Sequence, residues 1–196
     1  MKHLLITGFD PFGGQSINPS WEAVCRLPDA VGRWRLTKVQ IPTVFGQAAR
    51  AVLEAAGEGA PDAIVCVGQA GGRAAVTPEV VAINRRDARI ADNGGNQPVD
   101  TPVDPTGPAA YFSTLPVRQM EQAVLAAGYP AALSYSAGTF VCNDVLYTLL
   151  RHYEGSGTRV GFIHLPFLPE QAGEGQPSMP LEDMVAALTA AISAME

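Results

Sequence analysis

The sequence predicts an α/β fold: a single domain over residues 1–196, built as a three-layer α/β/α sandwich around a mixed, largely parallel sheet. Two observations support this fold class. Short apolar runs rich in β-branched residues alternate with longer segments of helical period, the pattern of strands joined by crossover helices. Hydrophobic residues make up 47% of the chain and charged residues only 16%, which favours one well-buried core. No internal repeat or linker-like segment divides the chain.

The same patterns place the elements in order. Strands are predicted at 4–7, 63–67, 80–83, 131–135 and 160–165. Helices are predicted at 21–26, 45–56, 117–127, 141–153 and 181–195. Asn18 is a predicted helix cap, with Pro19 in the first turn, and Gly57 and Gly128 are predicted helix ends. The stretch 92–116 is rich in Pro, Gly, Asn and Asp, which predicts a long irregular excursion.

Composition also limits the partners. A formal net charge of −6 argues against nucleic acid or an anionic membrane surface, because both are bound through basic patches. No apolar run approaches the roughly 20 residues that span a bilayer, and no signal sequence precedes Gly8, so we expect a cytoplasmic protein. Three scattered cysteines suit a reducing compartment and predict neither a disulfide framework nor a metal site.

Cys142 is the candidate nucleophile. Residues 136–143 lead from a predicted strand into a helix, which places Cys142 in the first helical turn. Unpaired backbone N–H groups and the helix dipole there are expected to lower the pKa of its thiol and to form an oxyanion site. The alternative is that Cys142 is a small buried hydrophobic residue, which is the interpretation we prefer for Cys25 and Cys66.

A thiol nucleophile usually needs a base, and the chain holds three histidines. His164 closes an apolar run at the end of a predicted strand, where open α/β sheets tend to place catalytic groups. His3 begins a strand and His152 lies at the polar end of a helix, so both are interpreted as structural or solvated. The nineteen acidic residues offer no internal way to choose a partner for the histidine.

Seven segments of the chain form a recognisable series: TGFDPFGG at 7–14, NPSW at 18–21, GQAGGR at 68–73, DARI at 87–90, GPAAYFSTLP at 107–116, GTFVCN at 138–143 and FIHLP at 162–166. In this order they resemble the pyroglutamyl peptidase I family over nearly the whole chain. The resemblance implies a cysteine peptidase that removes an N-terminal pyroglutamyl residue from peptides through a thioester acyl-enzyme. It also implies that no cofactor or metal is needed and that the protein assembles as a homotetramer.

The resemblance further implies a Glu-Cys-His triad. Its glutamate lies in a Thr-Pro-Glu context, which here is Glu79, whereas the sequence alone favours a solvated glutamate at a strand edge. Cys142 and His164 are the other two members. Two departures from the family are Val80, where arginine is common, and Ala91, where proline is common; both could alter how the glutamate and its neighbouring loop are braced.

Pyroglutamate is a lactam without a free α-amine, so its pocket should combine apolar walls with a few backbone hydrogen bonds. Phe9 and Phe12 resemble the family's ring-contacting aromatics, and Gln69 resembles a residue whose backbone meets the lactam amide. For these side chains the alternative is core packing. The further candidates for the apolar wall are Ile90, Phe140 and Val141. At the oxyanion, the Cys142 N–H is the expected donor and Arg89 a possible electrostatic contributor.

Two other functions remain open from the residues. One is a cysteine amidase that acts on another small amide with the same triad. The other is a non-enzymatic α/β module that binds a nucleotide or phosphorylated metabolite through the glycine-rich turns at 12–14 or 68–73. Neither turn matches the dinucleotide or P-loop fingerprint, which argues against the second.

Overall fold

A six-stranded sheet runs through the computed structural model, which describes residues 1–57 and 61–195. Within those residues there are eight strands and five helices. In chain order they are β1 (Lys2–Phe9), α1 (Pro19–Arg26), β2 (Ala30–Val31), β3 (Trp34–Ile41), α2 (Gln47–Ala56), β4 (Ala63–Gln69), β5 (Thr77–Pro78), β6 (Val81–Ile83), β7 (Ala110–Phe112), α3 (Val117–Ala126), α4 (Val141–His152), β8 (Arg159–Leu165) and α5 (Leu181–Ser193).

The sheet has the order β2-β3-β1-β4-β8-β5. Its four central strands are parallel, while the two short edge strands, β2 and β5, run antiparallel to their neighbours. Strands β6 and β7 form a separate antiparallel pair. The predicted mixed, largely parallel sheet is therefore confirmed.

Helices cover both faces of the sheet, as the alternation of buried side chains shows. In β1, Leu4 and Ile6 belong to one apolar cluster, which includes residues of α1, α3 and α5. Leu5 lies between them in the sequence and belongs to a second cluster, with residues of α2 and α4. Successive side chains of a strand point to opposite faces, so the two clusters are the two interfaces of a three-layer α/β/α sandwich.

Most predicted elements are confirmed, with small shifts at their ends. Asn18 caps α1 as expected, since its side chain accepts a hydrogen bond from the Ser20 N–H, and Gly57 and Gly128 follow α2 and α3 with positive φ angles. The strand predicted at 80–83 exists as β6 but pairs with β7 outside the main sheet. Strand β7 in turn interrupts the excursion predicted to be irregular.

One predicted strand was wrong, and one central strand was not predicted. The segment 131–135 is not a strand: it makes only single bridges, Ala131 with Val76 and Ser134 with Glu79. Four backbone hydrogen bonds join residues 130–134 to residues 76–80, but Pro78 has no N–H to donate to the Ala132 carbonyl, which interrupts the ladder. Strand β3 was missed because its alternation is not sustained: Trp34 and Leu36 pack into one core cluster, whereas Ile41 packs into the other on the opposite face.

The carboxyl ends of β1, β4 and β8 meet at one edge of the sheet, where Phe9, Gln69 and Leu165 end their strands. Open α/β sheets place their sites at this edge. There, the close approach of α1 to β1 depends on Gly8, because a Cβ at this residue would lie 2.6 Å from the backbone of Trp21. The Phe9 N–H then donates to the Ser20 hydroxyl of α1, which directs the following loop across the edge.

Candidate active site

Cys142 is the second residue of α4, at the edge just described. The residue before the helix, Phe140, is extended and makes no side-chain cap, so side chains leave the first-turn N–H groups unpaired. The thiol is partly exposed and lies over β4: a Cβ on Gly68 would be 3.1 Å from Sγ. The predicted position at a helix start is therefore confirmed.

The expected lowering of the Cys142 pKa is wrong. Burial raises the pKa of this thiol to about 12, and the negative charge of Glu79 and the neighbouring Cys66 act in the same direction. Arg73 and the N–H of Cys142 itself oppose the rise but do not outweigh it. The helix start supplies its favourable field, but the loss of water around the sulfur is the larger effect.

His164 lies near the end of β8, where it is paired in register with Gly68 on β4 and with Thr77 on β5. Its ring is 4% exposed and packs 4.7 Å from the ring of Phe162. Its Nδ1 lies 2.7 Å from Oε1 of Glu79. Burial lowers the pKa of His164, the hydrogen bond and charge of Glu79 work to raise it, and Arg73 adds to the lowering. The neutral imidazole is therefore favoured.

Glu79 directly follows β5 and is fully buried. Its N–H donates to the Phe162 carbonyl at 2.9 Å, which holds the residue beside β8. Burial tends to raise the pKa of Glu79, but the hydrogen bond and charge of His164, with further donors, keep that pKa below its usual range. The ionised carboxylate is thus oriented on Nδ1, which leaves Nε2 of His164 to act as the base.

Arg73, quoted from sequence only within a glycine-rich motif, is a second partner of this carboxylate. Its Nη1 donates to the same Oε1 of Glu79 at 2.7 Å and to the Thr77 hydroxyl at 2.6 Å. Its Nη2 donates to the Ser136 carbonyl at 3.0 Å. No acid is adjacent to Arg73 in the sequence, so only the motif GQAGGR could have drawn attention to it.

The two departures from the family pattern leave this arrangement intact. Val80 braces the segment through its backbone: its N–H donates to the Ser134 carbonyl at 2.7 Å, and its carbonyl accepts from the Ser113 N–H at 2.9 Å. Ala91 is exposed. An arginine side chain after the glutamate is therefore not required to hold Glu79 beside His164.

A cavity of about 590 Å³ joins these residues. Cys142, His164 and Arg73 line it together with five of the residues expected to bind substrate or oxyanion. Those five are Phe12, Gln69, Arg89, Ile90 and Phe140. The segment 136–139, which leads to the nucleophile, and Asp87 complete much of the wall; from sequence they were quoted within longer segments, without a role in binding.

Phe9 and Val141 are not part of the cavity wall. Phe9 is 2% exposed and packs against Phe162, with their ring centroids 6.2 Å apart, and Val141 is fully buried. Both belong to the core cluster on the α2 and α4 face of the sheet. The expectation that they contact the ring directly is therefore corrected: the alternative of core packing describes both.

Aromatic packing supports the wall from behind. The ring of Phe140 lies between Phe12, at 6.0 Å, and Phe45, which meets it edge to face at 5.3 Å. The Phe45 N–H donates to the carboxylate of Asp92, and Asp92 also accepts from the N–H groups of Gly94 and Asn96. The loop after residue 90 is thereby tied to the aromatic wall.

The described residues offer neither a cluster of metal ligands nor a membrane-spanning helix. No group of three or more His, Cys, Asp or Glu side chains is arranged to hold a metal ion in residues 1–57 and 61–195. In the same part of the chain, no helix is both long and apolar enough to cross a membrane.

Known peptidases resemble this chain in amino-acid sequence. The family model of pyroglutamyl peptidase matches residues 2–196. A pyrrolidone-carboxylate peptidase of Levilactobacillus brevis is 54% identical over 196 aligned residues, covering 98% of this chain and 96% of that protein. One from Bacillus cereus is 53% identical over 186 residues, covering 92% and 86%.

Solved structures agree with these sequence matches. The crystal structure of pyroglutamyl peptidase I of Bacillus amyloliquefaciens superposes with a TM-score of 0.95 at 47% identity, covering 100% of this chain and 97% of that one. Pyrrolidone carboxyl peptidase of Thermococcus litoralis superposes with a TM-score of 0.94 at 36% identity, covering 100% and 93%. On the family model and these identities, the chain belongs to the pyroglutamyl peptidase family.

Proposed function

We propose that the protein is a cysteine peptidase that hydrolyses the amide bond after an N-terminal pyroglutamyl residue. The observation that carries the proposal is the 2.7 Å contact between buried Glu79 and Nδ1 of His164, because His164 lines the same cavity as Cys142. An acid, an imidazole and a thiol in this order are the parts of a nucleophilic triad. Family membership selects the pyroglutamyl peptide as substrate.

In the proposed mechanism the resting pair is uncharged. Burial raises the pKa of Cys142 and lowers the pKa of His164, so the thiol keeps its proton until substrate arrives. Sγ then attacks the pyroglutamyl carbonyl while Nε2 of His164 takes the thiol proton, and Glu79 stabilises the imidazolium that forms. His164 returns this proton to the departing amine, which leaves a thioester. Water, deprotonated by His164, hydrolyses the thioester and restores the thiol.

The tetrahedral oxyanion is assigned to the start of α4. The Cys142 N–H has no side-chain cap as competitor there, and a donor aimed at developing charge contributes about 3 kcal/mol. Arg89 lines the same cavity and is exposed, so it is proposed as a weaker, electrostatic contributor. No metal or organic cofactor has a step in this scheme.

For the lactam ring we propose an apolar site formed by Phe12, Phe140 and Ile90. All three line the cavity, and Phe140 is held between two other aromatic rings. Gln69, at the end of β4, is proposed to present backbone groups to the lactam amide. Phe9 and Val141 support this site from the core beneath it.

We further propose a cytoplasmic homotetramer that binds neither nucleic acid nor membranes. A free nucleophilic thiol supports a reducing compartment, and the net charge of −6 is unfavourable for polyanions. Exposed aromatic side chains, Phe112 at 70% and Tyr135 at 65%, support contacts between subunits.

The test is hydrolysis of a fluorogenic pyroglutamyl amide beside matched prolyl and glutamyl amides. We expect wild type to cleave only the pyroglutamyl substrate and Cys142→Ala to lose at least about 10³-fold in kcat. Cys25→Ala, which changes an exposed cysteine outside the cavity, is the control and should keep the wild-type rate. If wild type prefers another amide, or if Cys142→Ala retains its rate, the proposed function is wrong.

A further inference from the structure

The turn that follows β4 positions Arg73 beside the triad. Its backbone is compact: the Arg73 N–H donates to the Ala70 carbonyl at 3.3 Å, and Gly72 has a φ of 86°, in the left-handed region that favours glycine. Gly71 passes so close to Phe167 that a Cβ there would lie 2.2 Å from the ring. The Arg73 side chain leaves this turn toward the cavity and is 30% exposed.

The guanidinium of Arg73 joins its own turn to two other segments, residues 77–79 and Ser136. Through Nη1 it bonds to Glu79 and to the Thr77 hydroxyl on β5, and through Nη2 it bonds to the carbonyl of Ser136. Ser136 begins the segment that leads into Cys142. A planar fork can satisfy these acceptors together, whereas the single ammonium of a lysine cannot reach the same geometry. The acid of the triad and the approach to its nucleophile are therefore held by the same side chain.

The charge of Arg73 acts on His164 through a shared atom. Oε1 of Glu79 contacts both His164 Nδ1 and Arg73 Nη1, each at 2.7 Å. The carboxylate alone would stabilise a charged imidazolium, and the guanidinium offsets part of that attraction. The other ionisable groups that line this cavity are Cys142 from α4 and Asp87 and Arg89 from the segment after β6.

We propose that Arg73 is a positioning residue of the triad: it holds the Glu79 carboxylate against His164 and offsets its charge, so that His164 meets the Cys142 thiol as a neutral base. This inference rests on the proposed peptidase function for its kinetic consequence, but not for its effect on His164. Consistent with it, Arg73 works to lower the pKa of His164, while Glu79 works to raise it.

The kinetic test compares Arg73→Met with Arg73→Lys. Arg73→Met should lower kcat by about 10- to 100-fold with little change in KM, and the acidic limb of the kcat/KM profile should move to higher pH. Arg73→Lys keeps the charge but not the fork, so the limb should stay near its wild-type position while kcat recovers only in part. Arg50→Met is the control, since the Arg50 side chain is 79% exposed, pairs with Glu54 on its own helix and does not line the cavity.

A second measurement does not depend on activity. The chain has three histidines, so NMR titration resolves His164 once His164→Asn identifies its signal. In Arg73→Met the His164 signal should titrate at higher pH than in wild type. If both this titration and the acidic limb stay unchanged in Arg73→Met, the inference is overturned.

The experiment allows for a variant that does not fold and for a wild type without the proposed activity. If Arg73→Met does not fold by circular dichroism, Arg73→Gln replaces it as the neutral variant and Arg73→Lys remains the charged one. If wild type cleaves no pyroglutamyl amide, the proposed function fails, while the NMR titration still decides whether Arg73 controls protonation of His164.

Discussion

Two opposing effects act on the Cys142 thiol. Its position at the start of α4 favours the thiolate, whereas its depth beneath the cavity and the nearby Glu79 carboxylate favour the neutral thiol. Burial prevails and raises the pKa to about 12. Because His164 is also held neutral, the attack requires transfer of a proton to His164, and Glu79 contributes mainly by stabilising the charge that appears there.

Alkylation of Cys142 by iodoacetamide should reflect this raised pKa. Between about pH 6 and about pH 10, we expect the labelling rate to rise with pH without a plateau, by up to about tenfold per unit. Mass spectrometry of the labelled peptide measures the rate, and Cys142→Ala confirms the assignment. A plateau near neutral pH would instead mean a preformed thiolate–imidazolium pair and would contradict the proposed resting state.

At the scale of elements, the site depends on how closely strands and helices approach. α1 lies against β1 with only the hydrogen atoms of Gly8 between their backbones, and Cys142 lies over Gly68 of β4 with little space between them. These contacts place the Phe12 loop, the nucleophile and the base at one edge of the sheet. Backbone contacts cannot relax as a flexible side chain can, so such positions tolerate little added volume.

Gly8→Ala should therefore destabilise the fold. Its Cβ would lie 2.6 Å from the Trp21 backbone, and we expect a loss of about 2 kcal/mol or more in the free energy of unfolding. Gly173→Ala is the matched control, because its Cβ would meet its nearest atom, in Gln176, at an ordinary 3.5 Å. Urea denaturation measures both variants. Equal stabilities for the two would show that α1 can move away from β1 at little cost.

For the whole molecule, buried ionisable groups determine how stability varies with pH. Burial holds the pKa of His164 below its ordinary 6.5, and the pKa of Glu79 lies below its ordinary 4.5 because its hydrogen bonds outweigh burial. Each therefore stabilises the fold above its ordinary value, and this contribution is lost as pH falls. The pKa values of Cys66 and Cys142 are raised from 9.0 to about 12, so their contribution is complete below 9.0 and lost as pH rises.

The Tm should accordingly be highest between about pH 7 and about pH 9 and fall on both sides. His164→Asn should flatten the decline on the side just below neutral pH, because the variant has no imidazole to protonate there. His152→Asn, at an exposed position, should leave the profile as in wild type. Differential scanning fluorimetry across the pH range measures all three. A wild-type Tm that stays level or rises from pH 7 toward pH 5 would contradict this assignment.

Much of the fold and part of the site could be predicted from local pattern. The five helices, three of the four central parallel strands (β1, β4 and β8) and the position of Cys142 at a helix start follow from periodicity and caps, which act over a few residues. His164 was selected because it ends a buried strand. Strand β3 was missed because its apolar residues change from one face to the other along the strand, and the segment 131–135 was wrongly taken as a strand because Pro78 on the neighbouring segment interrupts its ladder.

The sequence is enough to identify an α/β protein with a candidate nucleophilic cysteine and one histidine at the end of a strand, and its motifs identify the family by resemblance. The family resemblance named Glu79 as the acid, and the tertiary structure shows how that residue meets His164. Glu79 lies 85 residues away in the chain, and the antiparallel pairing of β5 with β8 brings the two together. In the tertiary structure Arg73 also contacts the Glu79 carboxylate, and Phe9 and Val141 lie in the core. The pKa of Cys142 is raised there, whereas the sequence predicted a lowered pKa. Burial and long-range contact cause all of these, and neither is a property of neighbouring residues.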